Sequence, residues 1–168
     1  RYYFKYKDDI EKFKILNSTN MVFLLLIFLL SGGIIYFSSE WFSSILFGSL
    51  LTKRLIQLSF LSGCLEYLFL YMTTLLSAEI RSLPFTVITI SRISLNTMFS
   101  FYFIFQYSLT YMARINAILI TQGILVLCLI VITKNMFSTK ISLASLKKSL
   151  KLSFPIIPHQ MIGIIQGS

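Results

Sequence analysis

The stretch INAILITQGILVLCLIVIT, residues 115–133, runs nineteen residues without a charge. A bilayer-crossing helix needs about 20 consecutive, mainly apolar residues. In a chain of 168 residues, a soluble core would ask for an apolar stripe on such a helix, not an apolar surface all round. Three further stretches share its length and character, at about 18–36, 55–78 and 85–106. Glu66 interrupts the second and Arg92 the third. The runs are too long and too evenly apolar for the alternating strands of a membrane barrel. Only 12% of the residues are charged, against about 25% in a soluble domain. The fold class expected is therefore an all-α integral membrane protein, with four complete spans and a fifth beginning near Ser153. Asn17, Ser18, Thr19 and Asn20 offer N-caps for the first span. Pro84 stands at the start of the third, where a missing N–H costs nothing.

The net charge of +9 does not point to nucleic acid, because the basic residues are not gathered on a solvated fold. In membrane proteins, Lys and Arg concentrate in cytoplasmic loops. With the N-terminus inside, eleven of them fall inside and three outside, leaving Arg92 within a span. Tyr36, Phe37, Trp41 and Phe42 then mark the outer end of the first span, and Tyr107 and Tyr111 that of the third, as interfacial rings do. Cys64 and Cys128 lie in apolar runs without disulfide or metal spacing. One His, few acids and no glycine-rich phosphate loop leave no catalytic constellation, and no cofactor or metal is expected. The chain opens on Arg1 without a cleavable signal pattern, so it is expected to be a piece of a longer protein.

Thr89, Arg92, Asn96 and Ser100 are spaced by three, four and four, one stripe on a helix. Ser59, Ser62, Glu66, Thr73 and Ser77 form a second stripe on the span before it. Two antiparallel neighbours with one opposite charge each suggest a pair. Along the expected spans Glu66 lies near mid-depth and Arg92 ~10 Å from the inner end. Either the long side chains close that offset, or Asn96 meets Glu66 directly. An unpaired charge facing lipid at mid-helix costs roughly 2.5–3.5 kcal/mol, which disfavours that placement. Two readings stand. In one, Arg92 faces a hydrated cavity and attracts an anionic substrate, with Glu66 tuning it or carrying a coupling proton. In the other, Glu66 and Arg92 only join two helices. Ser31, Gly32 and Gly33 read either as a hinge or as a close helix contact. Gln57, Gln106 and Gln122 stand alone and receive no role.

Residues 135–152, NMFSTKISLASLKKSLKL, join the fourth span to the fifth. Leu143, Leu146 and Leu150 share a helical face, with Lys140, Lys147 and Lys151 beside them. The pattern predicts a basic amphipathic helix on the inner membrane surface, among anionic lipids. A plain basic loop is the alternative. Pro155 is tolerated in a first helical turn, whereas Pro158 loosens the next one. Both are hinge candidates, and His159 follows at the cytoplasmic mouth, as an interfacial residue or as a headgroup or proton contact.

The order of these features resembles the polysaccharide-exporter family, in its O-antigen flippase (Wzx-type) branch of the MATE-like multidrug/oligosaccharidyl-lipid/polysaccharide exporter superfamily. The features are the basic strip RYYFKYKDDIEKFK, the outer WFSSILFG, the Arg in SAEIRSLPF, and the basic linker leading into LKKSLKLSFPIIPHQMIG. The family enters its seventh helix through a Leu-Pro-x-Ile-Pro-His type sequence. Phe154 stands here where Leu is common, while Pro155, Pro158 and His159 match.

The resemblance implies a two-lobe helical bundle. Residues 1–134 would belong to the N-terminal lobe, 135–152 would be the cytoplasmic linker, and 153–168 would open the C-terminal lobe. It implies export of undecaprenyl-pyrophosphate-linked oligosaccharide units across the bacterial inner membrane by alternating access. O-antigen, capsule or exopolysaccharide synthesis would follow, without enzymatic activity. Lipid-linked oligosaccharide, membrane lipids and a polysaccharide polymerase are the partners implied, and nucleic acid is not. Arg92, Asn96, Glu66 and His159 become candidates for the substrate path. The alternatives are a membrane-embedded enzyme of the same pathway, an O-antigen polymerase or acyltransferase, and a MATE-type multidrug exporter.

Overall fold

The computed structural model describes residues 9–47, 52–78, 82–106 and 110–153. They form five α-helices, α1 (Ile10–Phe47), α2 (Lys53–Ala78), α3 (Ser82–Gln106), α4 (Thr110–Thr133) and α5 (Leu143–Ser153), with a 3₁₀ turn at Lys134–Met136. Four helices are long and apolar enough to cross a membrane. Their surfaces are apolar as well: Leu29, Phe37, Ile93, Phe105 and Leu127 are all exposed. An apolar surface of this extent is untenable in water and natural in lipid. The chain is a multi-pass membrane protein, all-helical among the described residues.

The chain divides into two compact units, Arg1–Leu26 with Asn135–Ser168, and Ile27–Lys134. In the first unit, α1 starts eight residues before the expected span. Asp9 is its cap: the Lys12 backbone N–H donates to Asp9 Oδ1 at 3.2 Å, and that of Phe13 to the Asp9 carbonyl at 3.1 Å. The Lys12 hydrogen bonds hold the Asp9 carboxyl below its ordinary range. Asn17, Ser18 and Thr19 are therefore not caps. The helix runs straight through them because Phe13 and Leu16 continue a buried face from the first turn.

The three polar residues are buried, and they hold the loop that leads to α5. Asn17 Nδ2 donates to the Met136 carbonyl at 3.2 Å. Ser18 Oγ accepts from the Ser138 N–H at 2.6 Å. Thr19 Oγ1 accepts from the Ser142 N–H at 3.0 Å and donates to the Ile15 carbonyl at 2.7 Å. A loop has no ladder of its own, so each buried N–H and C=O needs such a partner. Lys140 pairs with Glu11 at 2.7 Å, which raises its ammonium above the ordinary lysine range. It lies before α5, not beside the leucines as the sequence pattern suggests. Ser142 caps α5, accepting from the Ser145 N–H at 3.3 Å. The amphipathic helix itself forms as expected. Leu143, Leu146 and Leu150 line one side with Lys147 and Lys151, and Leu143 is 80% exposed.

In the second unit, α4 packs against both α2 and α3. Its buried row is Ala113, Ala117, Thr121, Leu125, Leu129 and Thr133, one residue in every four. Such a row is a ridge that fits a neighbour's groove. The ridge is small in its first half and bulky in its second. The last part of α1 meets the start of α2 through polar contacts. Gln57 Nε2 donates to Ser39 Oγ at 3.2 Å, the Ser43 and Thr52 hydroxyls share a hydrogen bond of 2.7 Å, and Lys53 pairs with Glu40 at 2.6 Å. Gly32 and Gly33 differ in use. A Cβ on Gly32 would lie 3.3 Å from the Phe60 ring, whereas one on Gly33 would meet nothing within 4 Å. Close packing therefore holds at Gly32 alone.

Candidate functional site

The size change along α4 decides where the second unit has room. Phe69, Met72, Leu75 and Leu76 of α2, Ile88 of α3, and Leu125, Val126 and Leu129 of α4 are buried. They fill the half of the unit where α2 ends and α3 begins. In the other half the residues that face one another are mostly small or polar, and a cavity of ≈ 460 Å³ opens. Its lining includes Ser59, Ser62 and Glu66 from α2, Arg92 and Asn96 from α3, and Arg114, Thr121 and Gln122 from α4. Gly63 adds open space, since a Cβ there would meet nothing within 4 Å.

Depth along the helices explains the meeting of the charged groups. The start of α2, the end of α3 and the start of α4 lie at the same end of these alternating helices. From that end, at about 1.5 Å per residue, Glu66, Arg92 and Gln122 all lie ~18–21 Å deep. The offset of several ångströms expected between Glu66 and Arg92 disappears, because α2 and α3 each begin earlier than the sequence bounds. Arg92 Nη2 donates to Glu66 Oε1 at 2.8 Å and to Oε2 at 2.6 Å. Asn96 does not meet Glu66. Gln122, given no role from sequence, donates its Nε2 to Glu66 Oε2. Phe69, one turn beyond Glu66 on α2, places its ring 4.8 Å below the Arg92 guanidinium carbon. The carboxylate and the ring thus approach one cation from the same helix, a charge pair reinforced by a cation–π contact.

The pair is not closed on itself. An arginine–carboxylate fork uses two nitrogens in parallel, but here one nitrogen serves both oxygens. Nη1 and Nε of Arg92 make no hydrogen bond among the described residues. The Arg92 and Glu66 side chains are 35% and 29% exposed. Around them, Asn96 Oδ1, Thr121 Oγ1 and Gln122 Oε1 are buried without a partner. Thr121 and Gln122 are only 1% and 3% exposed. A buried acceptor left unpaired costs about 1–3 kcal/mol, so three in one cavity indicate a site built for hydrogen-bond donors. Toward the helix ends, Arg114 is exposed, with no partner among the described residues. Two guanidinium groups and one carboxylate give the cavity one uncompensated positive charge.

The remaining stripe residues serve other ends. Thr73 and Thr89 bond to carbonyls of their own helices, those of Phe69 and Phe85. Ser100 lines a smaller recess between α3 and α4, shared with Asn96 and Arg114. Pro155, Pro158 and His159 lie outside the described residues. Gln122, Thr121 and Arg114 are the members that sequence reasoning missed. The only signal was the adjacent Thr121–Gln122 pair in mid-span, where any polar side chain needs a partner.

Comparison with known protein families, with characterised proteins and with solved structures finds no match.

Proposed function

We propose that the chain belongs to a membrane transporter that exports an anionic, lipid-linked oligosaccharide across the bacterial inner membrane. The proposed cargo is an undecaprenyl-pyrophosphate-linked repeat unit for O-antigen, capsule or exopolysaccharide, moved by alternating access in a two-lobe, MATE-like bundle. The N-terminus is then cytoplasmic, and His159, Pro155 and Pro158 stand at the inner entry to the second lobe. One observation carries this reading: a positively charged cavity, with unpaired hydrogen-bond acceptors, between helices fit to cross a bilayer. A guanidinium with two unbonded nitrogens suits phosphate oxygens, and orphaned amide and hydroxyl oxygens suit sugar hydroxyls. A multidrug exporter for cations has less use for a cavity with a positive excess.

The test is Arg92→Ala in cells whose surface polysaccharide depends on this protein. The expected result, at equal protein level, is loss of the polysaccharide and retention of lipid-linked units on the cytoplasmic side. Normal polysaccharide would remove Arg92 from the mechanism. Units that reach the outer leaflet but stay unpolymerised would instead support the polymerase alternative.

A further inference from the structure

The Arg92–Glu66 contact is asymmetric in a way that a purely structural pair does not require. Glu66 is held three times, twice by Arg92 Nη2 and once by Gln122 Nε2. Arg92 commits one nitrogen and leaves Nη1 and Nε unbonded among the described residues. Gln122 is buried, so the carboxylate is held from α4 as well as from α3. The second cation of the cavity, Arg114, stands eight residues before Gln122 on α4, ~12 Å nearer the helix ends. It has no carboxylate partner among the described residues. A ligand anion entering there meets Arg114 first and Arg92 afterwards, where Glu66 already occupies the Nη2 end of the guanidinium.

We propose that Glu66 is an internal counter-anion, which occupies Arg92 in the empty cavity and is displaced by a phosphate-bearing ligand. Gln122 holds Glu66 in that position, and Arg114 is the entry cation. The inference rests on the anionic-cargo reading above and adds its regulation. Glu66 keeps the Arg92 charge compensated until the ligand arrives, so stray anions do not settle at the floor of the cavity. A ligand must replace a charge-assisted contact with its own. Binding strength is thereby set by the difference between two anions on one guanidinium, not by the full attraction of the cation. A transporter needs such moderation, since a site that binds too tightly does not release.

The experiment uses the full chain in lipid nanodiscs and inorganic pyrophosphate as the probe, followed by calorimetric titration. Circular dichroism on heating reports the fold of each variant. Glu66→Gln is expected to bind pyrophosphate at least about tenfold more tightly than the native chain, as removal of one charge-assisted competitor predicts. Gln122→Leu leaves every charge in place and is expected to tighten binding by a smaller factor. Arg92→Gln added to Glu66→Gln is expected to abolish the gain. Should Glu66→Gln and Gln122→Leu bind no tighter than the native chain while Arg92→Gln binds more weakly, the counter-anion role is overturned and the cationic site stands. If Arg92→Gln binds as the native chain does, or no variant binds at all, the cationic site fails and this inference fails with it.

Discussion

Glu66 and Arg92 sit part-way between a surface pair and a buried one, and their energetics should show it. Removing one partner of a fully buried pair costs about 3–5 kcal/mol, and exposed pairs are worth about 0–1 kcal/mol. With about a third of each side chain accessible, a double-mutant cycle of Glu66→Gln and Arg92→Gln should give a coupling of ~1–2 kcal/mol. The check is reversible unfolding in detergent; a coupling near zero would show that Phe69 and Gln122, not the charge pair, hold the helices. Thr121 makes an opposite demand. Its hydroxyl is buried without a partner, so the isosteric Thr121→Val should stabilise the fold by up to ~1 kcal/mol. The same variant should weaken ligand binding, the trade expected where a site carries strain for function. Higher thermal stability with unchanged binding would make Thr121 irrelevant to the site. At this scale the sequence was half legible. The opposite charges and the three-four-four spacing announced Glu66 and Arg92. Gln122 stayed hidden because its partner lies 56 positions away, and a lone amide in an apolar run has no periodicity to betray it.

Helix α5 shows what an element can disclose by itself. Its leucines and lysines fix its face in the sequence, and the helix forms where they predict. Its start was less legible, because Ser142, the cap, stands among other Ser and Thr residues that could each serve. Ser142→Ala should fray the first turn of α5 at a cost of about 1 kcal/mol, read as faster amide exchange over residues 143–146. The uncovered leucine face should lie in the headgroup boundary of the bilayer, with Lys147 and Lys151 near anionic lipid. An environment-sensitive dye on Leu150→Cys, in a background without Cys64 and Cys128, should shift to the blue as anionic lipid is added to nanodiscs. Lys147→Glu with Lys151→Glu should reverse that shift, since each lysine near the surface contributes about 1 kcal/mol. An unchanged spectrum would place the face against protein instead. Helix α1 carries the contrary lesson. Hydropathy sees only its lipid-facing middle, so the expected span stops short at both ends. The polar residues Asn17, Ser18 and Thr19 looked like a beginning because their partners, Met136, Ser138 and Ser142, lie about 120 positions further on.

Across the whole molecule, the four spans were legible because the bilayer demands length and apolarity from each helix separately. Which helices gather around a cavity was not, since lipid-facing and helix-facing residues are equally apolar in such a chain. Orientation is the property that joins the sequence to the proposed function, and it can be measured directly. In the proposed orientation, with the N-terminus in the cytoplasm, eleven of the Lys and Arg residues fall on that side and three on the other, as the positive-inside rule asks. In that orientation the ends of α2, α3 and α4 nearest Arg114 would face the periplasm, and the cavity with Arg92 at its floor would open outward. Because Cys64 and Cys128 are native thiols, they are replaced by Ser and Ala before single cysteines are introduced. A membrane-impermeant maleimide added to intact cells should label Ser44→Cys, beside Trp41, and should leave Lys147→Cys unlabelled until the membrane is permeabilised. Arg114→Cys, at the cavity mouth, should react from outside as well, and a phosphate-bearing ligand should slow that reaction. The opposite pattern, with Lys147→Cys labelled from outside, would invert the chain. The cavity would then open to the cytoplasm, where lipid-linked units are made, and Arg92 would serve loading instead of release.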